Sequence, residues 1–330
     1  MYNNDWFSEL FGFHEGSDAL ERQANVQANL TFDDTTNTVY SHANGRTFTV
    51  GKLETPSVLE LRNAANALNG YPLKGTCDVI KADVSELHRN TLNCGATFQA
   101  ASQFNLLEMV APYHTTPSDG ITNYANDHTQ GPVCAIECAA GTVYRNYYAQ
   151  GDSNQIDCLK NVDEKLHDSK LWNMSNGYCM LTDWGVVYMD WNQRTLKDED
   201  IFDNLQVGIQ YDTEVVYSQS KHRVTQVYCS AIPVAYMKNA RGSHGVRLFA
   251  NQVLKKSYEA TVYAAVLNAE ITGNRDLFLT FVGGGAFGNN DDDIISVVMA
   301  TVSLAKSYGI NPIVVCYDNS RYNQMTELLN

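Results

Sequence analysis

Two aspartates in the middle of the chain have the type and spacing expected of a hydrolytic pair. Asp119 and Asp127 lie in a loop rich in Thr, Asp, Asn, Gly and Pro, within the segment 99–148. Two carboxylates in one cleft can divide glycosidic hydrolysis, because one can position water while the other handles the leaving group. Each can instead cap a turn, since Asp beside glycine is an ordinary turn residue. His114 and His128 are further acid/base candidates, although a loop histidine is more often only hydrogen-bonded.

A helix of small residues is predicted directly after this loop, from Gly131 to Tyr144. Small side chains there would let a ligand or another helix approach closely. Glu137 is a third catalytic candidate, and its alternative is a place on a solvated helix face. Cys134 and Cys138 have the spacing of one pair of zinc ligands, but no second pair with suitable spacing follows, so we expect no zinc site.

A glycine-rich segment, 277–295, has the sequence LFLTFVGGGAFGNNDDDII. A predicted buried strand ends at Val282, four glycines follow from Gly283 to Gly288, and a helix then begins. Such glycines allow positive φ, and N–H groups beside a helix start can hold a diphosphate. The segment is neither a P-loop nor a GxGxxG nicotinamide site. A tight turn needs only one or two glycines, so four of them with an exposed Phe287 favour a ligand site.

The acidic triplet Asp291 to Asp293 has two interpretations. Asn289 or Asn290 would be the N-cap of the following helix, and carboxylates in a first turn suit the helix dipole. Metal binding is the alternative. We favour the dipole interpretation and therefore expect no metal and no cofactor.

Strands and helices alternate from Cys77 onward. We predict strands at 77–84, 186–191, 226–232, 277–282 and 312–319, and helices at 248–269 and 291–308. Near-continuous apolar strands alternating with helices predict a parallel or mixed sheet covered on both faces. In such sheets ligands bind outside the carboxyl ends of the strands.

Residues 1–75 are predicted to form an N-terminal extension packed on the core, which itself comprises residues 76–330. The extension contains a short polar hairpin candidate, followed by a helix from Ser57 to Leu68 that should end at Asn69-Gly70. We find no internal repeat and no low-complexity linker.

Composition narrows the classes of partner. The formal net charge is -14, which argues against non-specific nucleic-acid binding because that affinity depends on Lys and Arg. A phosphate-bearing small molecule remains compatible, since backbone N–H groups can hold it. No basic leader and no membrane-length apolar run is visible. The eight dispersed cysteines suit reduced thiols. We therefore expect a cytoplasmic monomer.

Several segments together resemble the macrodomain family. FVGGGAFGN, followed by a helix and PIVVCYDN, is similar to the second phosphate-binding loop, last helix and last strand of macrodomains. DVIKADVSEL resembles the early strand whose Asp binds adenine, and ASQFNLLE occupies the place of the Asn-containing segment. SDGITNYANDHTQGP resembles the first ligand loop, where an Asp-Gly pair lies beside the distal ribose. The resemblance covers about residues 77–319.

The overall pattern is closest to a divergent, arginine-specific branch of ADP-ribosyl glycohydrolases, the MavL-type branch. It implies a macrodomain-like three-layer α/β/α fold with a mixed central sheet. The sequence lacks NAAN and the GGG-x(6–8)-QEE motif of the poly(ADP-ribose) glycohydrolases, which argues against cleavage of poly(ADP-ribose) chains.

The resemblance also implies roles for individual residues. Asp83 would accept from the adenine amino group, Gly284 to Gly288 would hold the diphosphate, Phe287 would pack on a ribose and Tyr317 would stack on adenine. The implied ligand-binding residues are Asp83, Gln103, Asn105, Gly120, Ile121, Gly283, Gly284, Gly285, Ala286, Phe287, Gly288, Asn289 and Tyr317.

The implied reaction is hydrolysis of the N-glycosidic bond at the distal ribose of an ADP-ribosylated side chain, with an oxocarbenium-like transition state. Asp119 would orient water and the ribose, Asp127 would bind an arginine guanidinium, and Glu137 would be a third candidate. The partners would be ADP-ribose and an ADP-ribosylated protein, in the cytoplasm or in a host cytosol if the chain is an effector. The alternatives are a non-catalytic reader of ADP-ribose and a hydrolase of free ADP-ribose-type nucleotides.

Overall fold

Helices and strands alternate through residues 2–68, 74–109, 115–166, 168 and 170–329, which are the residues that this computed structural model describes. The α-helices there are α1 (Trp6–Phe11), α2 (Ala19–Asn29), α3 (Val58–Ala67), α4 (Val84–Arg89), α5 (Gln130–Glu137), α6 (Ala139–Tyr147), α7 (Lys160–Leu166), α8 (Asp183–Trp191), α9 (Glu199–Phe202), α10 (His244–Thr272), α11 (Asp291–Ser307) and α12 (Asn319–Leu329). The β-strands are β1 (Leu30–Asp33), β2 (Thr38–Ser41), β3 (Thr47–Thr49), β4 (Lys52–Glu54), β5 (Asp78–Lys81), β6 (Thr97–Ala101), β7 (Trp172–Ser175), β8 (Tyr178–Leu181), β9 (Gly208–Glu214), β10 (Arg223–Cys229), β11 (Asp276–Leu279) and β12 (Asn311–Cys316).

The central sheet is mixed, with the strand order β4-β9-β10-β6-β11-β12-β5. Strands β10, β6, β11, β12 and β5 run parallel, whereas β9 is antiparallel to both β10 and β4. The carboxyl ends of the five parallel strands therefore lie along one edge of the sheet. Smaller antiparallel units, β1-β2-β3 and β7-β8, lie outside it.

Helices cover both faces of this sheet, and β6 shows how. The amide Nε2 of Gln99 donates to Thr261 Oγ1 of α10 at 3.3 Å, whereas the ring of Phe98 packs on His88 of α4 with centroids 4.0 Å apart. Because successive side chains of a strand point to opposite faces, α10 and α4 lie on opposite sides. The prediction of a three-layer α/β/α fold with a mixed central sheet is confirmed. None of the described helices is long and apolar enough to span a membrane.

The predicted strand at 186–191 is wrong, because this segment is the helix α8. The Thr182 side chain caps it by accepting from Gly185 N at 3.0 Å. Buried Gly185 and Met189 are four residues apart, so they share one helix face. A Cβ at Gly185 would lie 1.9 Å from the Leu171 carbonyl oxygen, so only glycine allows this approach. The β-branched and aromatic residues that indicated a strand lie largely outside the core.

Two other predicted elements have different bounds. The predicted helix from Gly131 to Tyr144 is two helices, α5 and α6, interrupted at Cys138, whose backbone has φ -113° and ψ 50°. The strand predicted to end at Val282 ends at Leu279. The main chain is thus already irregular three residues before the first loop glycine.

The N-terminal residues contribute to two parts of the molecule. Strand β4 pairs with β9 in the central sheet, and α3 packs on α10. A capping box between Ser57 and Glu60 starts α3 as predicted. Earlier residues, Trp6 and Phe7 among them, form a separate apolar cluster with α5 and α6. The division at residue 75 stays a prediction. The predicted helix end at Asn69-Gly70 and the candidate His114 lie outside the described residues.

Candidate active site

A cleft of about 240 Å³ opens at the edge where the parallel strands end, and we call it the glycine cleft. It lies beside the carboxyl ends of β6 and β11 and the first residues of α5. The lining residues are Ala101, Ser102, Gln103, Glu108, Asp127, Thr129, Gln130, Gly131, Tyr178, Tyr236 and 280–287. No Lys or Arg is among these described residues, so an anionic ligand would be held by main-chain N–H groups and neutral side-chain donors.

The glycine loop forms one wall. Gly283, Gly285 and Gly288 have φ of +80°, +56° and +66°, a region that disfavours L side chains. A Cβ on Gly283 would lie 2.7 Å from the Ala231 Cβ, whereas one on Gly285 would meet nothing within 4 Å. Position 285 therefore requires glycine because of its backbone angles and not because of crowding. The space in front of the loop at this position is open.

Asn289 fixes this loop rather than lining the cleft. Its amide Nδ2 donates to the carbonyl oxygens of Ile232 and Gly283, each at 2.9 Å. Gly288 and Asn289 line a neighbouring cleft beyond the loop. Of the predicted loop residues, Gly283, Gly284, Gly285, Ala286 and Phe287 line the glycine cleft.

Three aromatic rings form the rim of the cleft. Phe287 makes edge contacts with Tyr178 and Tyr236, at centroid distances of 5.6 and 5.8 Å, and the two tyrosines contact each other at 5.6 Å. Phe287 is half-buried rather than exposed as predicted, because these rings cover it. Sequence reasoning missed both tyrosines, since they come from the β7-β8 hairpin and from a turn after β10.

Glu108 is the most unusual side chain of the cleft. It is 4% exposed, and its Oε1 has no hydrogen-bond partner among the described residues. Burial raises its pKa to about 8, Ser102 and the Arg145 cation act to lower the pKa, and Asp127 raises it further. A carboxyl group with this pKa is protonated at neutral pH and can change its protonation state during a reaction.

Residues 102–109, which we call the Glu108 segment, are held by side-chain contacts. The Arg145 guanidinium donates through Nε to the Leu106 carbonyl at 3.1 Å, and Glu108 N donates to the Tyr124 hydroxyl at 2.9 Å. Gln103 Oε1 accepts from Met109 N at 2.8 Å. Leu106 has φ +64°, which is costly for a leucine and depends on these contacts.

Gln103 lines the cleft as predicted for a ligand-binding residue, but Asn105 does not. Asn105 is 2% exposed, its Oδ1 accepts from Leu107 N at 3.2 Å, and its Nδ2 donates to Gln155 at 2.9 Å. Through these hydrogen bonds the Asn105 amide holds the Glu108 segment in its conformation. Asn105 is thus placed to position Glu108 rather than to touch a ligand.

The N-terminus of α5 forms the wall opposite the glycine loop. The Gln130 amide joins the end of β6, accepting from Ala101 N at 2.8 Å and donating to Gln99 O at 2.7 Å. A Cβ on Gly131 would lie 2.8 Å from Glu108 Oε2, so glycine allows the helix to reach the carboxyl. Asp127 lines the same cleft, and its Oδ1 accepts from Thr129 N at 2.8 Å.

Asp119 lies in a different cleft, so the expectation that it shares one ligand end with Asp127 is not met in the described residues. Its Oδ2 caps a 3-10 turn by accepting from Thr116 N at 2.8 Å. Gly120 lines that second cleft as well, whereas Ile121 is fully buried in the N-terminal apolar cluster. The Ile121 side chain therefore has no surface for a ligand.

Glu137 is neither on a solvated face nor on a described cleft wall. It is fully buried and bonded by Tyr2 and by Arg89, whose Nη2 lies 2.6 Å from Oε1. Burial raises the pKa of this carboxyl, and both partners act to lower it. The ion pair ties α5 to α4 and the N-terminus, a structural task that explains the residue without a reaction.

Asp83 and Tyr317 follow β5 and β12, at the same sheet edge as the glycine loop. Both are exposed, and Tyr317 is 84% accessible. Asp83 caps α4 by accepting from Ser85 N at 2.8 Å. Neither lines the glycine cleft, so their adenine-binding roles stay predictions about an extension of the site along this edge.

Two residues of the acidic triplet form ion pairs. Asp293 accepts from Arg247 at 2.7 and 2.8 Å, and Asp291 accepts from Arg321. Asn290 caps α11 as one of the two predicted alternatives. Across the part of the chain that the structure describes, no cluster of three or more His, Cys, Asp or Glu side chains could hold a metal ion.

Comparison with known proteins gives structural likenesses only. No protein-family model and no curated protein matches this chain. A poly(ADP-ribose) glycohydrolase from Thermomonospora curvata is similar at 13% identity and TM-score 0.49, covering 94% of this chain and 97% of its own. The enzyme from Deinococcus radiodurans in complex with ADP-ribose is similar at 11% identity and TM-score 0.48, covering 84% and 95%. Likenesses at this level do not indicate a reaction, so the site residues must indicate the chemistry.

Proposed function

We propose that this protein is an ADP-ribosyl hydrolase that removes mono-ADP-ribose from modified protein side chains, with arginine as the linked residue. The observation that carries the proposal is Glu108, a buried carboxyl group with one unpartnered oxygen, between the glycine loop and the start of α5. The glycine loop and the helix N-terminus supply main-chain N–H groups, and Glu108 supplies a titratable group beside them.

The diphosphate would bind to the main chain of Gly283 to Phe287. Positive φ at Gly283 and Gly285 bends the chain so that successive N–H groups can converge on an anion. The start of α5 adds the positive end of a helix dipole from the opposite wall. The absence of Lys and Arg among the described lining residues suits a protein of net charge -14 that selects a ligand by shape rather than by bulk charge.

The aromatic rim would hold the distal ribose. Phe287, Tyr178 and Tyr236 present edges and faces beside the loop, and a sugar ring packs well on such surfaces. The Asp83 and Tyr317 positions lie further along the same edge, where the adenine would extend as the macrodomain resemblance implies.

Glu108 would carry the chemistry at the distal ribose. The free protein holds it protonated at neutral pH through burial, and a bound guanidinium would lower its pKa and favour the carboxylate. The carboxylate would then stabilise positive charge at C1″ and take a proton from the attacking water. Asp127, on the same cleft, would contribute charge stabilisation from the other side.

The test begins with calorimetric titration of ADP-ribose and AMP into the purified protein. We expect ADP-ribose to bind at micromolar affinity and AMP more weakly, because the second phosphate occupies the glycine loop. Peptides carrying one defined linkage then test turnover, with the products identified by mass spectrometry. We expect intact ADP-ribose and unmodified arginine.

Three outcomes would contradict the proposal in different ways. No binding at millimolar ADP-ribose would remove the ligand assignment. Binding without turnover of any linkage would make the protein a reader. Cleavage of free NAD or ADP-ribose without release from peptides would make it a hydrolase of free nucleotides.

A further inference from the structure

A second cleft, of about 360 Å³, lies between α2 and the 3-10 turn Pro117–Asp119. We call it the N-terminal cleft. Its walls include Asp18 and Arg22 from the N-terminal segment, and Thr115, Asp119 and Asn146 from the main body. Glu108 lines this cleft and also the glycine cleft, so the two clefts adjoin at one carboxyl group.

Two buried oxygens in the wall of the N-terminal cleft lack partners. Glu108 Oε1 and Thr115 Oγ1 belong to side chains that are 4% and 7% exposed, and neither atom has a hydrogen-bond partner in the described residues. Unsatisfied buried polar atoms destabilise a folded protein. Both atoms belong to side chains that line the N-terminal cleft, so unused hydrogen-bonding capacity lies beside a ligand bound there.

The N-terminal segment is fastened to the opposite wall by the Glu15 carboxylate. Its oxygens accept from Ile121 N and Thr122 N at 2.8 Å each, and the Tyr147 hydroxyl donates to it at 2.5 Å. Arg22 donates to the Ser118 carbonyl at 3.4 Å. A Cβ on Gly120 would lie 2.7 Å from Arg22 and 2.8 Å from Glu15, so the two segments are in direct contact.

The charge of the N-terminal cleft suits a cation. Asp18 and Asp119 contribute carboxylates, and the Glu108 carboxyl group ionises more readily when a bound cation lowers its pKa. Arg22 is the one lining cation in the described chain. Arg22 is already held by main-chain carbonyls of Ser17 and Ser118. The planar guanidinium has five N–H donors, which match carboxylates and hydroxyl oxygens placed around one small cavity.

We infer that the N-terminal cleft is the leaving-group subsite of the hydrolase and takes the guanidinium side chain of the substrate. This inference rests on the proposed function. It exchanges the predicted roles of two aspartates, because Asp119 would contact the guanidinium and Asp127 would lie on the ADP-ribose side. The subsite lies where segments 15–22 and 115–122 contact each other.

The reaction at Glu108 consumes one water molecule and needs no other co-reactant. The bond between C1″ and the guanidinium nitrogen breaks, and its electron pair stays with the nitrogen as neutral guanidine. The water oxygen bonds to C1″, and its proton passes to the Glu108 carboxylate and then to the guanidine. The products are ADP-ribose with a free C1″ hydroxyl and a protonated arginine side chain.

The experiment uses the full chain saturated with ADP-ribose and titrates agmatine, a free guanidine, by calorimetry. We expect saturable agmatine binding that Asp119→Asn and Asp18→Ser each weaken about tenfold or more. Serine at position 18 keeps the helix N-cap and removes only the charge. The control is Asp34→Asn, an exposed aspartate outside both clefts that removes the same charge.

Turnover separates this inference from the proposed function. In both cleft variants KM for an arginine-linked peptide should rise by about the same factor, while affinity for ADP-ribose stays that of the wild type. If the wild type hydrolyses arginine-linked ADP-ribose but agmatine does not bind, or binds both variants as tightly as the wild type, the subsite assignment is wrong and the proposed function survives. If no linkage is hydrolysed, the proposed function fails first.

Discussion

The glycine loop and the Glu108 segment face one cleft but are shaped by different forces. The loop takes its form from its own backbone, because three glycines have positive φ and one asparagine closes the turn. The Glu108 segment holds Leu106 at φ +64° through contacts from Arg145, Tyr124 and others. Under the proposed function, ligand recognition would depend on local backbone freedom, and the chemistry would depend on side chains that arrive from distant parts of the chain.

Glu108→Gln should distinguish most clearly between the role of the Glu108 segment and that of the glycine loop. We expect kcat for an arginine-linked peptide to fall about a thousandfold, because the amide can neither ionise nor accept a proton from water. Affinity for ADP-ribose should stay within about threefold of the wild type, since the diphosphate contacts belong to the loop. Single-turnover kinetics and calorimetry measure the two effects.

The matched control is Glu164→Gln on α7, an exposed position that lines neither cleft. Its kcat should equal that of the wild type. An undiminished kcat in Glu108→Gln would remove the catalytic assignment even if ADP-ribose binds.

Gly285→Ala should affect the other region. Alanine at φ +56° is disfavoured by about 1–2 kcal/mol, so the loop should shift and ADP-ribose affinity should drop about tenfold. Gly284→Ala provides the comparison, because Gly284 has φ -73° and its nearest contact would be at 3.3 Å. Calorimetry should show a clearly larger loss at position 285. Equal losses would mean that added volume, not backbone conformation, governs the loop.

Arg145 tests how distant side chains act on Glu108. The buried guanidinium lies over the Tyr228 ring at 3.8 Å and acts to lower the Glu108 pKa. Arg145→Met should therefore raise the pKa of Glu108 and move the acidic limb of the pH–rate profile to higher pH. Arg145→Lys keeps the charge, so the acidic limb should return most of the way to its wild-type pH. Lysine nevertheless lacks the planar guanidinium that donates to the Leu106 carbonyl oxygen. Identical limbs in both variants would show that Arg145 acts through packing alone.

The smallest effect should appear in stability. Burial raises the pKa of Glu108 to about 8, so the folded state resists its ionisation while the unfolded chain ionises near pH 4. The wild type therefore loses stability relative to Glu108→Gln as pH rises from about 4 to about 8. We expect the Tm advantage of the variant to be about 5–7 °C larger at pH 9 than at pH 4. Thermal melts that stay parallel across this range would contradict the raised pKa.

The same contrast explains what the sequence could predict. The glycine loop, α11, β12 and the layered fold were predictable because their signals are local: a run of glycines, an Asn before three aspartates, and apolar strands. Asp127 and Gln103 line the glycine cleft, and their roles in catalysis and ligand binding stay predictions. Asp119 and Asp127 line different clefts. Residues 15–22 pack beside Asp119, and no feature of the sequence around position 119 indicates this contact.

Glu108 was not among the predicted catalytic residues, although one signal was present. It is a single carboxylate in the apolar stretch NLLEMV, which indicates burial of a titratable group. Its surroundings in the fold include Gly131, which comes from a helix 23 residues further along the chain. In α8, aromatic and β-branched residues indicated a strand. The segment is instead a helix, and its buried Gly185 allows close packing against Leu171.

The Glu15 contact has a consequence for how such a protein can diversify. One side of the N-terminal cleft comes from a segment that precedes every strand of the central sheet. Under the proposed subsite assignment, sequence changes in residues 15–22 would alter which linkage is accepted while the glycine loop stays untouched. Selectivity and nucleotide recognition would then be encoded about 260 residues apart and could be inherited or exchanged separately.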